Sequence, residues 1–101
     1  MDGDRLICVK IYRKGVEVLL AACDSDILGK TFRDGELRIE CSSFYEGEEV
    51  SVEVFLQRLR EVTIANLVGK ETVQAAIDGG FVDETCVIWI GDVPHAQMVV
   101  M

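Results

Sequence analysis

The sequence is poor in the residues that usually carry chemistry. It has one proline, one histidine, one tryptophan and two tyrosines in 101 residues. The lone Pro94 and the lack of any low-complexity tract exclude a disordered or polyproline chain. No apolar run approaches the ~18 residues that cross a bilayer. The start, Met1-Asp2-Gly3-Asp4-Arg5, lacks the basic stretch that opens a signal peptide. A cytoplasmic location without membrane contact is expected. Cys8, Cys23, Cys41 and Cys86 form no C-x-x-C pair and are expected as free thiols. With a single His they also lack the paired spacing of a zinc site. Asp24, Asp26, Asp34, Glu46, Glu48 and Glu49 follow no calcium-loop spacing, so no metal is expected. Gly29-Lys30-Thr31 ends like a phosphate loop, but Asp24 stands where that loop needs glycine. No nucleotide or other cofactor is expected.

What the sequence does have is apolar residues, half of the total, and acid: 18 Asp and Glu against 10 Lys and Arg, a net charge of -8. A chain of this length and composition buries one core, and residues 1–101 read as a single domain. The average charge repels phosphate backbones at long range and suits a basic partner surface. Its distribution is uneven. Lys10, Arg13, Lys14, Lys30, Arg33 and Arg38 make the N-terminal part locally basic, whereas acids gather over residues 46–53 and 78–92.

The period of the apolar residues gives the elements. Residues 6–12 and 16–23 read as an antiparallel hairpin, with Ile7, Val9 and Ile11 on one face and Val16, Val18, Leu20 and Ala22 on one face of its partner. A second hairpin turns at Asp34-Gly35, and its second strand alternates, with Leu37, Ile39 and Cys41 inward. Residues 42–49 read as a loop. Ser51 is placed to cap a helix whose stripe is Phe55, Leu56, Leu59 and Val62. Continuing that wheel puts Asn66 on the buried stripe and Ile64 and Val68 opposite, so the helix either ends near Thr63 or packs on its far side too. Lys70 to Asp78 reads as a second helix stopped by Gly79-Gly80. Cys86 to Ile90 reads as a central strand covered on both sides, and Ala96 to Met101 as a last strand near the sheet edge. The expectation is an α+β fold: a mainly antiparallel sheet of about five to six strands, formed by two N-terminal hairpins and two C-terminal strands, with a helical hairpin over residues 51–79 on one face.

Cys23-Asp24, Leu28-Gly29-Lys30-Thr31-Phe32-Arg33, Phe44-Tyr45-x-Gly47, Ala65-Asn66-Leu67-Val68-Gly69-Lys70 and Gly91-x-Val93-Pro94-His95-Ala96-Gln97 together carry a family resemblance. In this order, from the first strand to the C-terminus, the chain resembles the small archaeal proteins grouped as domain of unknown function 424. The resemblance implies an archaeal cytosolic protein. Through the placing of such genes near translation genes, it tilts the partner toward the RNA or translation machinery. It brings no activity, substrate or catalytic residue.

Three functions remain. A non-enzymatic binding module would engage RNA or a basic protein of the translation apparatus, with Lys30, Arg33, Tyr45, Asn66, Lys70 and His95 as binding candidates. Asn66 is singled out because a polar group on a buried stripe needs a partner or costs about 1–3 kcal/mol. A small enzyme would use Cys23 with His95, or Lys30 with His95, at strand ends; the Asp24 charge beside Cys23 works against a thiolate. A homodimer or larger scaffold would use Val54, Ile64, Val68 and the apolar tail Met98-Val99-Val100-Met101, pairing as an edge strand.

Overall fold

The computed structural model describes residues 6–100; the expectations placed on Met1 to Arg5 and on Met101 lie outside them. The elements in chain order are β1 (Ile7–Lys14), β2 (Glu17–Asp24), β3 (Thr31–Asp34), β4 (Leu37–Glu40), β5 (Glu48–Val50), α1 (Val52–Leu59), β6 (Ile64–Val68), α2 (Lys70–Asp78), β7 (Ile88–Ile90) and β8 (Val93–Val99). Six strands form one sheet in the order β5-β1-β2-β6-β8-β7, and β3 with β4 forms a second, two-stranded sheet. The α+β class is as expected. All strand pairs are antiparallel except β2 with β6.

β1 and β2 form the expected hairpin, closed by Lys14 opposite Glu17, with Gly15 at φ +60° in the turn. Alternation sends Ile7, Val9, Leu20 and Ala22 to one face of the large sheet, where they meet Phe55 and Leu59 of α1 and Val73 and Ala76 of α2. Ser51 caps α1 as expected, its Oγ accepting from the Val54 backbone N–H at 3.2 Å. Cys8, Ala21, Cys23, Val68 and Val93 point to the opposite face. That face is covered over one part of its area by the β3–β4 hairpin, through Phe32 and Ile39, and by Cys41, Phe44 and Tyr45 from the following turn.

The helical hairpin over residues 51–79 is corrected. The helix ends at Leu59, and Ile64 to Val68 is a strand in the middle of the sheet, between β2 and β8. Ala65 and Leu67 are buried on the helical face and Val68 on the other, against the cysteines, so that apolar residues fall on both faces and blur the period-2 signal a strand normally shows. Its register, Ala21 opposite Asn66 opposite Gln97, takes Asn66 off a helical stripe and onto the less covered sheet face. The last two strands also exchange roles. β8 lies inside the sheet and β7 at its edge, so the tail does not offer an edge along Val93–Val99. Cys86 stands in a 3-10 turn before β7, exposed. Glu48 and Glu49, read as loop, form with Val50 the short strand β5 beside β1.

Candidate functional site

Cys23 and His95 share a sheet face but do not meet. Cys23 is opposite Val68, and Val68 is opposite His95, so the Val68 strand stands between them, roughly 10 Å from first to third strand. Cys23 is fully buried. Its thiol is pushed well up, first by the hydrogen bond it shares with Cys41 and then by burial. Cys41 is the other sulfur of that bond and is buried with it. A protonated sulfur sealed from solvent is not presented to a substrate. His95 is half-buried and its imidazole is pulled below the usual value by desolvation.

The binding candidates are dispersed. Lys30 and Arg33 are exposed on the β3–β4 side, where Phe32 and Ile39 take the inward positions. Tyr45 is buried against the cysteines, its phenol pushed up to about 12 by burial. Beside it Phe44 stacks on Tyr12 at 4.9 Å between centroids, and Lys10 lies 5.4 Å above the Tyr12 ring. Asn66 accepts a hydrogen bond from Gln97 Nε2 at 2.8 Å, which satisfies the amide that sequence reading marked as anomalous. Lys70 is exposed at the start of α2.

The start of α2 is organised by Asp24. Its carboxylate accepts from the Glu71 N–H at 3.1 Å, the Thr72 N–H at 2.8 Å and the Thr72 hydroxyl at 2.7 Å. The helix N-terminus, an attractive place for an anion, is therefore filled by the chain's own carboxylate. Gly69 permits this. It sits at φ +110°, and a Cβ there would fall 2.4 Å from the Asp24 carboxyl carbon. Among the described residues no group of three or more His, Cys, Asp or Glu side chains is arranged to hold a metal ion, and no helix is long and apolar enough to cross a membrane.

A concave feature that the sequence did not reveal lies beside α2. A groove of about 350 Å³ runs between α2 and the β7 edge, lined by Lys70, Glu71, Val73, Gln74, Ile77, Glu84, Val87, Trp89 and Pro94. Its volume is at the low end for small-ligand sites. Trp89, the only tryptophan, is 54 % exposed there. The signal available in the sequence was a lone Trp in a strand bounded by turns, which reads equally well as a core residue.

Backbone geometry turns one residue of β7 away from β8, while the β3–β4 hairpin lies close to the turn, where the Gly91 N–H donates to Asp34 Oδ2 at 3.1 Å. The Gly91-Asp92 turn joins β7 to β8, with Ile90 opposite Val93. A two-residue turn is closed by a hydrogen-bonded pair, and bonded pairs then alternate. Trp89 opposite Pro94 is therefore an unbonded pair, where a proline removes no donor from the ladder. The Trp89 N–H and C=O point away from β8. On its other side Pro94 is tied in, its carbonyl accepting from the Gly69 N–H at 2.9 Å.

Charge follows the same division. From Glu71 to the C-terminus the sequence carries Glu71, Asp78, Asp83, Glu84 and Asp92 and no Lys or Arg. Of the groove's own charged residues, Glu71 and Glu84 are acidic and Lys70 is basic.

Comparison with known proteins adds identity without activity. No curated protein matches the chain. A solved structure described as an uncharacterized conserved protein from Methanopyrus kandleri is similar, at 26 % identity and a TM-score of 0.82, covering 95 % of this chain and 92 % of that one. The family described as "Protein of unknown function (DUF424)" matches over residues 12–101. With that match spanning nearly all of the sequence, the chain belongs to the DUF424 family.

Proposed function

We propose that the protein is a non-enzymatic binding module whose α2–β7 groove receives a basic protein segment with an apolar anchor. The observation that carries this reading is the half-exposed Trp89 on an apolar floor, within a stretch that has acids and no cation beyond Lys70. Apolar floor residues reward an anchoring side chain, and the acidic rim selects and steers Lys or Arg around it. The outward Trp89 backbone adds a donor and an acceptor for an extended segment. RNA is disfavoured at this place by the same acids. A buried Cys23 and a separated His95 give no support to thiol catalysis.

The single tryptophan makes the test direct. An unstructured peptide with one Leu or Phe among Lys and Arg is expected to shift Trp89 emission saturably, with affinity falling as salt rises. A peptide with Glu in place of its Lys and Arg should leave the emission unchanged. Single-stranded RNA retained at low salt, with no effect of the basic peptide, would instead support the open sheet face around Lys10 and Tyr12.

A further inference from the structure

We infer that the segment the groove receives is the β1–β2 hairpin end, residues 11–16, of a second copy of this chain. The inference rests on the groove reading above and names its partner. Three features of the hairpin end match what the groove asks for. Val16 is 90 % exposed at the turn, an apolar side chain with nothing of its own copy to cover it. Arg13 and Lys14 beside it are exposed cations. The outer edge of β1 is also open, because β5 pairs only with Ile7, Cys8 and Val9.

Alternation of bonded pairs from the Lys14–Glu17 closure turns the backbone of Ile11 and Arg13 outward. One copy therefore ends in an open, basic strand edge with an apolar tip. The other presents the outward Trp89 backbone and an apolar floor beside Glu71 and Glu84.

The two surfaces cannot meet within one copy. The hairpin end lies beyond Lys14 opposite Glu17, whereas the groove sits near Pro94 and Gly69, level with the Asp24 end of β2. The paired length of eight residues between these levels spans about 23 Å. Contact therefore joins unlike surfaces of different copies, either reciprocally in a closed pair or head to tail.

Sedimentation velocity on the whole chain, up to about 1 mM, where a contact of millimolar Kd is half-populated, reads this out. The expected result is a sedimentation coefficient that climbs with concentration and falls back at about 0.5 M salt. Arg13→Glu with Lys14→Glu removes the basic half, and Trp89→Ala the groove half; each variant alone should sediment as a monomer. Mixed, they retain one intact surface of each kind and should form one-to-one pairs that grow no further. Glu84→Lys, an exposed substitution that leaves the fold untouched, should reproduce the Trp89→Ala behaviour. A wild-type monomer throughout, or variants that associate as the wild type does, overturns the inference. If the wild type stays monomeric while a basic peptide still shifts Trp89 emission, the groove reading stands and only the second copy is removed; if neither occurs, both readings fall.

Discussion

The two faces of the large sheet are built from different materials. On the helical face, Phe55, Leu59 and Val73 close over Ile7, Val9, Leu20 and Leu67, all apolar side chains. On the other face the buried set contains three thiols, Cys8, Cys23 and Cys41, and the phenol of Tyr45, under a short hairpin and a turn. The first core depends on volume and is indifferent to pH. The second holds groups that ionise, so its contribution is conditional on their staying neutral. A sheet covered by helices on one side and by a strap on the other thus separates bulk stability from chemical sensitivity.

The comparison is most severely tested by removing volume from the helical face. Phe55→Ala opens a cavity in a fully buried position and is expected to cost about 3–5 kcal/mol, read as a drop in the urea midpoint. If the loss is no larger than that of Tyr45→Phe, which removes only a hydroxyl on the opposite side, the helical face does not dominate stability.

A smaller loss is expected where the two faces are joined. Asp24 ends β2 and holds α2 by its first turn, so Asp24→Ala should cost about 2–3 kcal/mol through uncapped, buried donors. Asp24→Asn, which keeps an acceptor, should cost less. Equal losses for the two would remove the hydrogen-bonding account of this contact.

The pH profile gives the smallest and most selective effect. Tyr45 has a folded-state value raised above the unfolded one, so its stabilisation is complete below pH 10 and is lost as pH rises through about 12. His95 is lowered by desolvation. The unfolded chain therefore binds its proton first, and stability falls as pH drops below 6.5. Urea midpoints measured across pH should show both limbs. Tyr45→Phe should flatten the alkaline one and His95→Gln the acid one. Phe55→Ala should lower the whole curve without changing its shape.

Legibility in the sequence followed the same division. The β1–β2 hairpin, the alternation of Ile39 and Cys41, the Ser51 cap and the bounds of α2 were readable because each is a local pattern, whereas Leu37 and Val16, read as inward, are exposed at hairpin ends beyond the cover of the core. Ile64 to Val68 was not readable. A strand with apolar residues on both faces shows no clean alternation, and following a helix it inherits that helix's wheel. The same mistake created the anomaly at Asn66, which is simply half of an amide pair across two strands. The groove was invisible for a different reason. Trp89, Pro94 and Ile77 come together only once β7 is known to be an edge and α2 is known to lie beside it, and neither fact is local.

The placing of β6 also bears on how the chain folds. This strand completes the centre of the sheet by pairing with β2, from which it is remote in sequence; the Val18 N–H meets Thr63 Oγ1 across 45 positions. Both helices need that centre as a platform, yet the chain between must close a long loop before any contact rewards it. Hairpins β1–β2 and β7–β8 are able to form early and alone. The late, rate-setting event is then the insertion of residues 64–68 between them, and the protein should fold slowly for its size.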